Sequence, residues 1–240
     1  MTGTILPRHT PYPIFAIIWL VMSCMQFRCA NEEPASPSNP GIDTTQALPK
    51  FIRTNYIELD LINRISRFRS GIGHSYTDDF ESCRSMKHYF EPKGNVDWSV
   101  VKIFSPVSGE VIRVFEEWAG DQVQITPTDQ PSFYLSIFHI KLIRPLKAGD
   151  RVTEGELLGT HIGAQTMSDI AVGVTVNGKR KLVSYFDVIT DSLFQQYSRR
   201  GATSRAQFII TKEDRDSDSL RCAGDAFMNS GKLSHWVELQ

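Results

Sequence analysis

The chain has 240 residues and a mass of 27.1 kDa, which is enough for one substantial domain or two small ones. Hydrophobic residues make up 41% and charged residues 22%, a composition that excludes a disordered protein, a collagen-like repeat and a coiled coil. The 26 Lys and Arg residues nearly balance the 27 Asp and Glu residues, so the composition predicts no nucleic-acid partner. No apolar run approaches the roughly 20 residues of a membrane-spanning helix, which excludes a polytopic membrane protein.

Residues 1–24 have the pattern of a secretory signal peptide. Arg8 precedes the apolar stretch 14–22, and Cys24 follows that stretch closely. A basic start and a short hydrophobic segment that ends at small residues are typical of such signals. The four residues up to Cys24 resemble a bacterial lipobox, whose cysteine is lipidated after cleavage. We therefore predict an exported protein with a lipid anchor at its N-terminus. Cleavage of an ordinary signal near Ala30 and a buried apolar segment are the alternatives.

Residues 25–50 predict a flexible linker. Prolines recur there among Ser, Asn, Thr and Glu, at Pro34, Pro37, Pro40 and Pro49. Such a composition cannot bury apolar surface. A tether of this kind suits a folded domain that a lipid holds at a membrane. Beyond the linker, the sequence patterns predict a β domain over 51–183 and a helical C-terminal extension over 184–240.

The segment 100–183 predicts a mainly β fold. Apolar or alternating runs recur between turn residues, at 100–104, 110–115, 122–125, 133–138 and 170–176. Asn177 and Gly178 follow the last run as a hairpin signal. Short strands at this spacing predict a closed or sandwiched β architecture. The earlier segment 56–68 fits a helix and a strand equally, because its apolar residues satisfy both periods.

After residue 183 the apolar period becomes that of a helix. The residues on or near one helical face are Tyr185, Val188, Ile189, Leu193, Phe194 and Tyr197. Gly201 follows as a stop signal, and Thr203 or Ser204 is placed to cap a second short helix. Because the segment is too small to fold alone, we predict that it packs on the β domain.

The spacing of the cysteines argues against a metal or redox motif and leaves one disulfide bond open. None of Cys24, Cys29, Cys83 and Cys222 has C-x-x-C spacing, which argues against a structural zinc site and a thioredoxin-type motif. In an oxidising compartment, a bond between Cys83 and Cys222 would tie the C-terminal segment to the β domain. Two buried free thiols are the alternative, because sequence alone does not supply the required geometry.

Two glycine-containing stretches resemble the barrel-sandwich-hybrid fold. Residues 105–111 form a turn that feeds a strand, and residues 146–159 carry the pattern G-D-x-V-x-x-G-x-x-x-G. Glycines at such positions let a compact β fold turn with positive φ. The two stretches together resemble the domains of this fold, which include biotinyl and lipoyl carriers and the lysostaphin-type (LytM-type) zinc endopeptidases. The resemblance covers roughly residues 70–180.

Two further motifs favour the peptidase branch of this resemblance. His74 and Asp78 form an H-x-x-x-D motif, which supplies two zinc ligands in those enzymes. His139 resembles the histidine that is implied to stabilise their tetrahedral intermediate. Zinc in such a site takes three protein ligands and a water whose pKa falls toward about 7. The alternatives are that His74 and Asp78 form a hydrogen-bonded pair that fixes a loop, and that His139 is a structural histidine at a strand end.

The sequence departs from the family at the third zinc ligand. Relatives supply this ligand from an H-x-H pair on one strand, where residues two apart share a face. Here Asp169 and Ala171 occupy the two positions, so a methyl group stands at the ligand position. Asp169 is a candidate substitute on the same face, because carboxylate oxygen is a legitimate zinc ligand. His161 and His88 are the other candidates.

Three functional hypotheses follow. We favour an exported, envelope-anchored, peptidase-like protein whose zinc site is degenerate. It would act as a cell-wall binding or regulatory module, with peptidoglycan or another envelope component as partner. The second hypothesis is an active zinc metalloendopeptidase that cleaves peptidoglycan peptides, with His74, Asp78 and Asp169 as ligands and His139 as catalytic residue. The third is a small-molecule or glycan-binding domain whose loop aromatics, such as Trp118, contact the ligand.

Overall fold

The computed structural model describes residues 47–240. The predicted signal peptide, 1–24, and the predicted linker up to residue 46 lie outside the described residues, so both stay predictions. Between residues 47 and 240, none of the helices has both the length and the apolar character that a membrane span requires.

Antiparallel strands dominate the described residues, and eleven of them form one sheet. In chain order the strands are β1 (Ile62–Ser66), β2 (His88–Pro92), β3 (Lys102–Phe104), β4 (Gly109–Glu117), β5 (Gly120–Pro127), β6 (Phe133–Leu142), β7 (Arg151–Val152), β8 (Leu157–His161), β9 (Ser168–Val176), β10 (Lys179–Val183), β11 (Cys222–Ala223), β12 (Ala226–Phe227) and β13 (Trp236–Glu238). The main path through the sheet is β13-β1-β2-β9-β6-β5-β4-β7, with β10 also on β9 and β8 joining β6 to β3. The predicted mainly β fold is confirmed.

Strand β9 pairs with three other strands of the sheet. Its first residues pair with β2, its middle with β6 and its end with β10. Tyr89 of β2 is the register partner of Asp169. Because side chains alternate along a strand, Ile170 and Val172 enter the large apolar core, whereas Ala171 belongs to a separate, smaller apolar cluster. Asp169 therefore lies on the same face as Ala171, as the sequence predicted.

The C-terminal extension is helical, as predicted, and it also returns to the sheet. Its α-helices are α1 (Tyr185–Val188), α2 (Asp191–Ser198) and α3 (Lys212–Ser217), and short 3-10 helices lie at Leu59–Leu61, Trp98–Val100 and Arg205–Phe208. The Thr190 side chain accepts the Leu193 N–H and starts a new helix, which breaks the predicted helical run in two. The ring of Phe186 stacks on Phe208 with centroids 3.7 Å apart. This packing and the pairing of β13 with β1 join the extension to the β domain.

The disulfide left open by the sequence is present. Cys83 is bonded to Cys222 across a sequence separation of 139 residues. Near this bond, the guanidinium of Arg84 forms ion pairs with Glu81 at 2.7 Å and with Asp216 at 2.9 Å. The bond and the ion pairs together hold α3 and the residues after it against the loop that precedes β2.

Candidate functional site

The sheet brings three charged side chains together at one place. Asp169 is the second residue of β9, Lys87 immediately precedes β2, and His139 lies toward the end of β6. Because β2 and β6 flank β9 in the sheet, these residues meet on one face. The loop between β1 and β2 adds His74 to the group. We call these four side chains the Lys87 cluster.

A buried ion pair forms the centre of the Lys87 cluster. The Lys87 Nζ atom lies 2.5 Å from Asp169 Oδ2, and the two side chains are 2% and 0% exposed. Burial favours the neutral form of each group, but their mutual attraction is stronger. It raises the pKa of Lys87 and, with the help of His139, lowers the pKa of Asp169. Both groups are therefore ionised in the folded protein.

Aromatic rings enclose the ammonium group of Lys87. The Nζ atom lies 4.1 Å from the ring centroid of Phe138, 4.8 Å from that of Tyr76 and 5.2 Å from that of Tyr89. The faces of aromatic rings attract a cation, and more strongly where water is excluded. The rings therefore replace part of the hydration that the ammonium loses on burial.

His74 contacts the same ammonium group. Its Nε2 atom lies 3.3 Å from Lys87 Nζ, and its Nδ1 atom lies 3.1 Å from the carbonyl oxygen of Ser75. An ammonium only donates, so Nε2 accepts from it while Nδ1–H donates to Ser75, as in a neutral imidazole. The residue before His74 is Gly73, whose backbone has a φ of +70°. A Cβ at Gly73 would lie 2.2 Å from Tyr89 Oη, so glycine is the residue that lets the chain place His74 here.

His139 is held between two acceptors. Its Nε2 atom lies 3.2 Å from Asp169 Oδ1, and its Nδ1 atom lies 3.1 Å from the carbonyl oxygen of Ala119. Glu117 Oε2 is 3.7 Å from the same Nδ1 atom. The Nδ1–H group donates to the carbonyl oxygen of Ala119, and Nε2 faces the carboxylate of Asp169. Burial lowers the pKa of His139, but Asp169 outweighs this effect and raises it above the ordinary value.

Asp78 lies in a turn and uses its carboxylate there. Its Oδ1 atom accepts the backbone N–H groups of Phe80 and Glu81, at 2.9 and 3.0 Å. Its Oδ2 atom accepts the N–H of Leu182 on β10, at 2.9 Å. These partners are backbone groups outside the Lys87 cluster. Asp78 therefore anchors its loop to β10, and the structure does not bring it to the other predicted site residues.

The position at which the resemblance predicted a third zinc ligand, Ala171, lies among apolar side chains. Ala171 is 1% exposed and packs in the small apolar cluster with Phe68, Met86, Phe138 and Leu182. Across residues 47–240, no three His, Cys, Asp or Glu side chains are grouped in a way that would hold a metal ion. In the Lys87 cluster, the groups that could bind a metal are two imidazoles and one carboxylate, and the ammonium group of Lys87 lies among them.

The two candidate substitute histidines are buried and neutral. His88 places Nδ1 2.8 Å from the carbonyl oxygen of Ser66 and Nε2 2.9 Å from Ser184 Oγ. The Nδ1 atom of His161 accepts the N–H of Gly163 at 3.3 Å. Burial lowers the pKa of each to about 4, and for His161 the nearby charge of His139 adds to the effect. His88 thus has hydrogen-bond partners at both ring nitrogens, whereas the Nε2 atom of His161 is buried without one among the described residues.

A groove opens beside the Lys87 cluster. One part, of about 440 Å³, is lined among others by Tyr89, Trp98 and Trp118. An adjoining part, of about 350 Å³, reaches Lys87 and Glu117. Trp118 lies in the turn between β4 and β5, where it is 79% exposed, with its ring centroid 6.3 Å from that of His139. The groove therefore offers aromatic walls and a charged floor, an arrangement that suits a polar ligand with apolar faces.

Sequence reasoning missed Lys87 and Glu117. Lys87 lies between Met86 and the strand His88–Pro92. A lysine within a run of otherwise buried residues was the feature of the sequence that could have indicated it. A buried lysine requires a partner, which would have prompted a search for a buried carboxylate. Glu117 carries no comparable signal, because its position at the end of a strand is typical of a solvated glutamate.

Comparisons with known proteins give similarities to solved structures only. No protein-family model matches the sequence, and no curated protein matches it. A chain of the SpoIIQ–SpoIIIAH pore forming complex aligns with 10% identity and a TM-score of 0.42, over 65% of this chain and 100% of that chain. A chain of the SpoIIIAH and SpoIIQ complex aligns with 10% identity and a TM-score of 0.40, over 55% and 95%. The solution structure of lysostaphin aligns with 14% identity and a TM-score of 0.30, over 49% and 52%. Membership of the lysostaphin-type family therefore stays a prediction.

Proposed function

We propose that this protein is a peptidase-like binding or regulatory module of the cell envelope that does not hydrolyse peptidoglycan. The observation that carries the proposal is that Asp78 uses both carboxylate oxygens on backbone N–H groups. A hydrolytic zinc site needs three protein ligands and an open position for water. With Asp78 engaged elsewhere and Ala171 in an apolar cluster, the residues present do not fit such a site. No zinc-dependent step is assigned to this protein.

The groove beside the Lys87 cluster is the surface to which we assign binding. Trp98 and Trp118 line it, and rings of this size contribute large contact areas to polymer ligands. The carboxylate of Glu117 supplies an acceptor at its floor. We assign peptidoglycan as the ligand, and another envelope component is the alternative. The signal-like residues 1–24 support an envelope location, as does the Cys83–Cys222 disulfide, because disulfides persist in oxidising compartments.

Cell-wall assays on purified protein test this proposal. We expect no zinc after exhaustive dialysis, no cleavage of peptide bonds in purified peptidoglycan, and co-sedimentation of the protein with that peptidoglycan. Trp118→Ala should weaken the binding by about fivefold, since a stacked aromatic contact contributes roughly 1 kcal/mol. Phe115→Ala is the matched control, because Phe115 is an exposed aromatic of the same hairpin that does not line the groove. Stoichiometric zinc together with peptide-bond cleavage would overturn the proposal.

An active zinc endopeptidase is the second candidate function. It is favoured by one observation, namely that His74 and Asp169 both face a single cationic group. This candidate uses Asp169 as substitute ligand and His139 as catalytic residue. It predicts that Asp169→Ala removes both bound zinc and hydrolytic activity. Metal content that is the same in this variant and in the wild type would reject it.

A further inference from the structure

One wall of the groove is formed by the loop between β1 and β2. His74 of this loop lines both parts of the groove, and Tyr76 lines the part that reaches Lys87. His74 is itself exposed, so burial contributes little to its position. That position depends on the backbone of residues 73–76 and on the contact with Lys87. The groups that hold this backbone therefore determine the shape of the groove.

Two neighbouring backbone N–H groups fasten this loop to other segments. The Ser75 N–H donates to the carbonyl oxygen of Asp225 at 2.7 Å, and Asp225 lies in the turn between β11 and β12. The Tyr76 N–H donates to the carbonyl oxygen of Arg84 at 3.0 Å. The first acceptor belongs to the C-terminal extension, and the second belongs to the segment that leads into β2.

The disulfide joins the two segments that supply these acceptors. Cys83 directly precedes Arg84, and Cys222 is the first residue of β11. We call residues 221–228 the C-terminal hairpin. Its strands pair with each other through two residue pairs, and six of its eight residues are exposed. A two-stranded hairpin that buries so little surface is at best marginally stable alone. Its place beside Ser75 therefore depends on the bond to Cys83.

We infer that the C-terminal hairpin is a positioning element of the groove, and that the Cys83–Cys222 bond sets the affinity of the groove by keeping Asp225 against Ser75. The inference rests on the proposed binding function. Without the bond, the hairpin leaves the loop, the Ser75 N–H loses its acceptor, and His74 is no longer held in one position. If the groove is complete for only about one tenth of the time, its apparent affinity falls by about tenfold.

Binding of purified peptidoglycan to the oxidised and the reduced protein tests the inference. Both cysteines are partly exposed, so a dithiol reductant can convert the bond to two thiols. Co-sedimentation measures the affinity of the full-length protein, and near-UV circular dichroism checks that both forms are folded. We expect reduction to weaken the binding by about tenfold. Cys83→Ser/Cys222→Ser should bind like the reduced wild type and should not respond to the reductant. Reoxidation of the wild type should restore the original affinity.

Substitution of Ser75 tests the hydrogen bond while the disulfide stays intact. Ser75→Pro has no N–H to donate to Asp225, whereas Ser75→Ala keeps this N–H and is the matched control. We expect Ser75→Pro to bind peptidoglycan about tenfold more weakly than Ser75→Ala does. If reduction unfolds the protein, the comparison of these two variants decides the question.

Amide hydrogen exchange reports the same event without a ligand. The N–H groups of Ser75 and Tyr76 should exchange about tenfold faster in Cys83→Ser/Cys222→Ser than in the wild type, because an amide exchanges when its hydrogen bond opens locally. The N–H of Lys179 is the control, since it lies in the β9–β10 hairpin, away from the disulfide. Its exchange should be the same in both proteins.

The possible failures point to different errors. A folded, reduced protein that binds peptidoglycan as tightly as the oxidised form refutes the inference and leaves the proposed function intact. Equal exchange of the Ser75 and Tyr76 amides in the variant and the wild type also refutes the inference alone. An oxidised wild type that binds no peptidoglycan refutes the proposed function, and the inference that rests on it is then refuted as well.

Discussion

Removal of the Cys83–Cys222 bond should cost this protein a large part of its stability. The bond joins residues 139 positions apart, so it closes a long loop of the unfolded chain. In the chain-entropy treatment, such a cross-link lowers the entropy of the unfolded state by about 17 cal/mol/K, which is about 5 kcal/mol at 25 °C. We expect Cys83→Ser/Cys222→Ser to lower the free energy of unfolding by about 2–5 kcal/mol. The upper figure applies if the unfolded chain has no residual structure.

Guanidinium chloride unfolding of the wild type and the double variant measures this difference. A reductant should lower the midpoint of the wild type to that of the variant and should leave the variant unchanged, which is the internal control. Reduction should also raise the number of thiols that react in denatured wild-type protein by two. A difference in free energy below about 1 kcal/mol, or a wild type that is insensitive to reductant, would refute the reasoning.

Three further predictions concern the site and its surroundings. Gly73→Ala should lower the free energy of unfolding by about 1–3 kcal/mol in chemical denaturation, because φ there is +70° and the new Cβ would meet Tyr89 Oη. His88 has a pKa of about 4 in the folded protein, compared with an ordinary value of 6.5. Between these two pH values, the unfolded chain therefore binds more protons at this residue than the folded protein does. Stability should therefore fall from pH 6.5 to 4, by up to about 3 kcal/mol, and less in His88→Gln. In Asp169→Asn, the pKa of His139 should fall in an NMR titration, because Asp169 raises it in the wild type.

Local patterns predicted most strands, but not their order in the sheet. The runs 110–115, 122–125, 133–138 and 170–176 lie within β4, β5, β6 and β9, because alternating or β-branched runs between turn residues suit a half-buried extended chain. The Asn177–Gly178 turn joins β9 to β10 with positive φ at both residues. The placement of β2 beside β9 depends on contacts between distant segments, and no local pattern encodes such contacts.

The ambiguous segment 56–68 shows how tertiary contacts decide between two periods. Its residues form the 3-10 helix Leu59–Leu61 and then β1. Strand β1 pairs with β2 on one side and with β13 on the other. The strand is therefore selected by partners that the local sequence does not specify. The strand at Trp236–Glu238 was missed for the same reason, because three residues in a charged stretch carry too little periodicity.

The sequence selected three of the four residues of the Lys87 cluster, but not Lys87 itself, and the roles predicted for these residues stay predictions. The motif resemblance selected His74, His139 and Asp169, which the structure places in one cluster. It could not predict that Asp78 serves a turn, since the same carboxylate suits a metal and a set of backbone N–H groups. Lys87 escaped prediction because lysine is ordinarily solvated, and only the distant Asp169 explains its burial.

The packing around Ala171 limits how a metal ligand could be engineered at this position. A histidine at this position would have to enter a closed cluster formed by Phe68, Met86 and Leu182. Inserting a larger side chain into a well-packed interior usually costs about 1–3 kcal/mol through displaced neighbours. A single Ala171→His substitution would thus lower stability, so an engineered ligand at this position would also require smaller neighbouring side chains.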